Sequence, residues 1–171
     1  MQKIINKNQE FLMKLEKDEI LKNKLNELSN GQNPKTIIIT CSDSRVIPEY
    51  ILNSTFGELF VIRTAGNVIN SGELASIEYG IAHLKIKDII VLGHTSCGAI
   101  HAAIHNESGK YVGSILNIIK DNIEDEKDEI KATYKNAIKI SDYIKNKFND
   151  DSLNIIPAIY DIKTGKIDII K

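Results

Sequence analysis

Two short runs constrain this chain most: Thr36-Ile37-Ile38-Ile39-Thr40 and Asp88-Ile89-Ile90-Val91-Leu92. Their apolar residues are consecutive, so an extended backbone there presents them on both faces. Both faces must then be covered, which is the condition of a strand inside a parallel sheet. Glu58-Leu59-Phe60-Val61-Ile62 is a third such run.

Outside the runs the apolar spacing becomes helical. Residues 9–28 carry Phe11, Leu12, Leu15, Ile20, Leu21, Leu25 and Leu28 at roughly that spacing. This predicts an amphipathic helix, broken near Asp18 and stopped by Ser29-Asn30-Gly31, with Pro34 following. From Ser71, the expected N-cap, Leu74, Ile77, Ile81 and Leu84 share one face. A short helix is expected from Gly98 to His105. Residues 111–148 read as one or two charged amphipathic helices, with a break near Asp125-Glu126-Lys127-Asp128, itself read as a solvated face. Two closing strands, NIIPAIYD and KIDII, flank a hairpin-like turn at Lys163-Thr164-Gly165.

Strands alternating with helices predict an α/β fold. The expected architecture is a mostly parallel central sheet of four strands plus an antiparallel edge strand, flanked by helices. No repeat or linker divides the chain, so residues 1–171 are expected to form a single domain, with residues 1–30 as a helical arm. A hydrophobic content of 42% supports a folded core. A net charge of -1 without a basic stripe argues against nucleic-acid binding. The apolar runs fall far short of a membrane span. Charges occur in every turn of MQKIINKNQEFLMKLEKDE, unlike the apolar core of a signal peptide. The expectation is a cytoplasmic protein whose two cysteines stay reduced.

Ligands in open α/β sheets bind beyond the carboxyl ends of the strands. Cys41 follows the first apolar run, and Gly93-His94-Thr95-Ser96-Cys97 follows the run at 88–92. Two strands thus deliver both cysteines of the chain and one of its four histidines to the same edge. Cys, His and Cys make a catalytic zinc set with an open fourth position. His101 and His105 are expected farther along the helix that starts at Gly98, and His83 lies in another helix. Buried apolar cysteines are an alternative. A phosphatase-like nucleophile is disfavoured, because Cys41 and Arg45 stand in C-x3-R rather than C-x5-R. Asp43 and Arg45 are two positions apart, so an extended segment would set them on one side. Asp43 would then accept a hydrogen bond from metal-bound water or ligate the metal, and Arg45 would hold it ionised. An ordinary turn salt bridge is the simpler alternative.

Cys41-Ser42-Asp43-Ser44-Arg45 and His94-Thr95-Ser96-Cys97-Gly98 resemble the C-x-D-x-R and H-x-x-C signatures of the β-class carbonic anhydrases. The resemblance runs from about residue 35 to the end. It includes FVIRTAGN at 60–67, SIEYG at 76–80, and Tyr160-Asp161 with Thr164-Gly165. The shortness of the chain is similar to the compact archaeal-type branch. The resemblance implies one Zn2+ per chain on Cys41, His94 and Cys97, and reversible hydration of carbon dioxide to bicarbonate by zinc-bound hydroxide. It implies an Asp43–Arg45 dyad and a substrate-holding backbone N–H at Gly98. In one branch the aspartate becomes a fourth zinc ligand at lower pH, which closes the site. It also implies a homodimer, or a homotetramer of paired dimers, in which the N-terminal arm packs on a partner subunit.

Two features depart from the family. Thr64 stands where it has Asn in R-N-A-G-N. The chain has no Trp, so the Trp-containing bicarbonate regulatory site of some bacterial members is incomplete, although Arg63 matches another of its positions. Rival functions are hydrolysis of carbonyl sulfide or carbon disulfide on the same fold, a catalytically silent zinc-binding protein, and a cysteine-based redox protein.

Overall fold

In the computed structural model, which describes residues 1–171, the apolar runs become neighbouring strands. The chain divides into two units, Met1–Asn33 and Pro34–Lys171. The first unit is a pair of helices, α1 (Gln2–Leu15) and α2 (Glu19–Leu28). The break falls at Asp18, whose side chain accepts the Leu21 N–H and caps α2. Helix α1 begins earlier than the expected residue 9. Its first residues, QKIINKNQ, offer little apolar periodicity, yet none of them breaks a helix. Neither helix has a buried residue.

The second unit runs β1 (Thr36–Cys41), α3 (Pro48–Ile51), β2 (Leu59–Thr64), a 3-10 turn (Ala65–Asn67), α4 (Ser71–Ala82), β3 (Asp88–His94), α5 (Gly98–Ile104), α6 (Gly113–Ile123), α7 (Glu129–Phe148), β4 (Asn154–Tyr160) and β5 (Ile167–Ile169). The five strands are ordered β2-β1-β3-β4-β5. Strands β2, β1, β3 and β4 are parallel, and β5 pairs antiparallel with β4. This is the architecture expected from the sequence.

Ile37, Ile38, Ile39, Ile89 and Val91 are wholly buried. Burying each such side chain contributes roughly 1.5–3 kcal/mol. Ile37, Ile39, Ile89 and Val91 belong to the core shared with Ile77 of α4 and with Ala137, Ile140 and Ile144 of α7. Ile38 packs with Leu92 and Ala158 in a separate cluster. The consecutive apolar pattern thus has its cause: successive isoleucines enter different cores.

Two local expectations change. The N-cap of α4 is Asn70 rather than Ser71, and Glu73 accepts the Asn70 N–H at 2.8 Å. The acidic stretch between α6 and α7 also does more than face solvent. Asp128 caps α7 by accepting the Ile130 and Lys131 N–H groups, both at 2.9 Å.

Candidate metal centre

Strands β1 and β3 are adjacent and in register, with Thr40 opposite Leu92. Both therefore end at the same edge, where β1 closes on Cys41 and β3 on His94. The backbone turns sharply after His94. Ser96 takes a left-handed conformation (φ +55°), and Cys97 becomes the N-cap of α5. One tight loop can thus present both the imidazole and the second thiol. The Sγ atoms of Cys41 and Cys97 are 4.0 Å apart. Those two atoms and a His94 ring nitrogen all lie within 4.8 Å of one another. The three residues are 5%, 4% and 1% exposed, so their polar atoms face one another rather than solvent.

The imidazole is held in one tautomer. His94 Nδ1 lies 3.0 Å from the Thr95 carbonyl, which only accepts, so Nδ1 carries the proton. Nε2 then keeps its lone pair, and it is buried without a hydrogen-bond partner. An orphaned buried acceptor beside two thiols is costly unless something binds there. The donor set and spacing fit tetrahedral zinc. With Zn–S bonds of about 2.3 Å, two thiolates stand roughly 3.8 Å apart.

The sulfurs are prepared for a cation. The Cys41 thiol is lowered to about 4, chiefly by its hydrogen bond with Cys97, with help from His94 and the Asp43 and Gly66 backbone against the cost of burial. The Gly66 N–H donates to Cys41 Sγ at 3.3 Å. Cys97 is pushed up, first by its hydrogen bond with Cys41 and then by burial; the Ile100 and Ala99 N–H groups work the other way.

Asp43 and Arg45 do meet, but not across an extended segment. Residues 44 and 45 turn, and Asp43 Oδ1 accepts the Arg45 backbone N–H at 2.9 Å. The guanidinium then closes a fork: Nε donates to Oδ1 at 2.9 Å and Nη2 to Oδ2 at 2.8 Å. These bonds hold the Asp43 carboxyl well below the usual carboxylate range. Oδ2 lies 4.0 Å from His94 Nε2, so the carboxylate borders the cluster without joining it. Arg45 Nη2 also donates to the Ser96 carbonyl at 3.1 Å, tying the two loops together.

Gly98 opens α5, and nothing lies within 4 Å of where a Cβ would stand on it. His101 and His105 stack on each other along α5, and His101 Nδ1 is 2.6 Å from Glu129 Oε1. His83 stacks on Tyr79. None of these three joins the cluster.

Sequence reasoning missed the hold on the loop backbones. Arg63 donates from Nε to the Cys41 carbonyl at 3.2 Å and from Nη2 to the Asp43 carbonyl at 2.8 Å. Thr95 Oγ1 donates to Asp161 at 3.2 Å and accepts the Ile162 N–H. An arginine inside a strand that reads as apolar was the available signal for the first. The second joins positions too far apart in sequence for spacing to reveal.

The family model for carbonic anhydrase matches residues 36–167. Carbonic anhydrase 2 of Mycobacterium tuberculosis is 34% identical over 156 residues, covering 81% of this chain and 75% of its own. The structure of the β-carbonic anhydrase CafA of Aspergillus fumigatus covers 99% of this chain and 90% of its own, with a TM-score of 0.89; at 24% identity this is a likeness of fold. A structure described among two tetrameric β-carbonic anhydrases from Sordaria macrospora has a TM-score of 0.79 at 26% identity, covering 99% of this chain and 95% of its own. The family match takes in the whole sheet edge on which Cys41, His94 and Cys97 meet, and the chain belongs to the β-class carbonic anhydrases.

Proposed function

We propose that this chain catalyses the reversible hydration of carbon dioxide to bicarbonate and a proton, using one zinc ion held by Cys41, His94 and Cys97. The observation that carries the reading is the unpartnered, buried Nε2 of His94 facing two thiols 4.0 Å apart. Three protein ligands leave one coordination position for water. When bound, zinc supplies the Lewis acid that activates water near neutral pH.

The chain's residues do the rest. Cys41 and Cys97 bind as thiolates and balance the dication's charge, which weakens its Lewis acidity. Asp43 offsets this by accepting a hydrogen bond from the reacting water and fixing its orientation toward carbon dioxide. Arg45 keeps that carboxylate ionised and aimed. The backbone N–H of Gly98 holds the substrate oxygen as negative charge develops. Asp43 makes both Arg45 bonds here, which supports an open site in which it is not a fourth ligand. The test is stopped-flow hydration by the zinc-loaded protein and its Asp43→Ala variant, with carbonyl sulfide as a second substrate. The reading requires turnover of carbon dioxide that the variant largely loses. Full activity in the variant removes Asp43 from the mechanism, and turnover of carbonyl sulfide alone replaces the substrate.

The proposed assembly is a homodimer, or a tetramer of paired dimers, with the arm of residues 1–30 covered by a partner subunit. It is supported by the absence of buried residues in α1 and α2, which expose Ile4, Ile5 and Met13. Both cysteines are free, and the ligand set needs them reduced, which suits the cytoplasm. No helix is long and apolar enough to cross a membrane.

A further inference from the structure

Gly66 and Asn136 are 70 positions apart, yet they meet behind the metal cluster. We infer that Asn136 is a positioning residue for the metal ligand Cys41: by holding the Gly66 carbonyl it fixes the turn whose Gly66 N–H points at the Cys41 sulfur. The inference rests on the zinc reading above.

Gly66 sits in the 3-10 turn after β2 with φ +66°. A side chain there would strain the backbone and push Ile119 aside: a Cβ would stand 2.6 Å from Ile119 Cδ1 and 3.2 Å from Ala99 Cβ. The turn is therefore pressed against α6 and α5. Its N–H donates to Cys41 Sγ at 3.3 Å, while its carbonyl accepts from Asn136 Nδ2 at 3.0 Å. Asn136 is 2% exposed. Its own orientation is fixed, because Asn122 Nδ2 donates to Asn136 Oδ1 at 2.9 Å. A flipped amide would set oxygen against the Gly66 carbonyl and nitrogen against the Asn122 donor, losing both bonds. The resulting line runs from α6 through α7 and the glycine turn to the sulfur. Partners beyond the ligands that orient a metal ligand change affinity and electronic character when removed. A buried amide that served packing alone would change stability and leave the metal–sulfur bond as it was.

The test compares the full-length protein with Asn136→Leu, close in volume without the donor, and Asn122→Ala, which keeps the donor and frees its rotation. Zinc affinity is measured by competition with a chelator. The sulfur-to-metal charge-transfer band is recorded on the cobalt(II)-substituted proteins. The expected result is a loss of zinc affinity of about 10–100-fold in Asn136→Leu, with a shifted band. A smaller loss in the same direction is expected in Asn122→Ala. Wild-type affinity and an unshifted band in folded Asn136→Leu overturn the inference. If that variant does not fold, an unchanged affinity and band in Asn122→Ala overturn it. A wild-type protein that binds no zinc and gives no thiolate band sinks the zinc reading, and this inference with it.

Discussion

The metal-site edge and the N-terminal arm are opposites in how much of their own support they carry. At the edge, Cys41, His94 and Cys97 are buried among elements of their own unit. Arg45, Arg63 and Asn136 fasten the loops that bear them. In the arm, α1 and α2 bury nothing, and Ile20 is 86% exposed. The difference teaches where each must find its stability. The site is assembled by tertiary contacts within one chain, whereas the arm leaves Ile4, Ile5, Met13 and Ile20 exposed. Mutations at the edge should therefore act on metal and chemistry in every copy, and mutations in the arm on association.

The largest effect is expected from Cys41→Ser. Losing a ligand should exceed the roughly 10–100-fold cost of disturbing its supports, so zinc analysis should find almost no metal and hydration should fall to background. Retained stoichiometric zinc would break the comparison at its stronger end.

Arg45→Ala comes next. It leaves the ligands in place but frees Asp43, and hydration should drop about 10–100-fold. The pH response gives the sign. Asp43 has a depressed folded pKa, so its paired, ionised form contributes stability that is fully present above about pH 4 and lost as pH falls below it. Without Arg45 that pH-dependent contribution to stability should largely disappear, while the acid limb of activity should move up toward the ordinary carboxylate range. Activity profiles and urea melts between acid and neutral pH would record it; coincident profiles would separate Arg45 from Asp43.

Gly66→Ala should cost about 1–3 kcal/mol, because a side chain enters a full core at positive φ. A wild-type denaturation midpoint would mean the turn yields easily. The smallest intrinsic effect belongs to Ile20→Lys. An exposed position should change the chain's own stability by at most about 0.5 kcal/mol. If a partner covers the arm, the same change should shift sedimentation toward monomers while leaving zinc content intact. Unchanged assembly would show that Ile20 lies outside the interface.

The edge was also far more legible in the sequence than its supports. Ile37-Ile38-Ile39 and Ile89-Ile90-Val91 announce buried strands, because short, β-branched apolar runs flanked by turn residues suit a strand covered on both faces. Once both are strands of a parallel sheet, Cys41, His94 and Cys97 must arrive at one edge. The meeting of Asp43 with Arg45 was legible, but its cause was not: a turn with a side-chain-to-backbone bond replaces simple alternation. Asn136 was not legible at all. It lies in a charged amphipathic helix, and its value depends on a carbonyl brought to it by the fold. One-turn α3 was equally hidden, since four residues are too few for a period to register.

The most direct test is zinc stoichiometry measured alongside carbon dioxide hydration, on the wild-type protein, the zinc-stripped protein and His94→Ala. The account predicts one zinc per chain in the wild type and almost none in the variant. Hydration should vanish on stripping and return in proportion to zinc restored. Full hydration by zinc-free protein, or one zinc per chain still bound after His94 is lost, would contradict it.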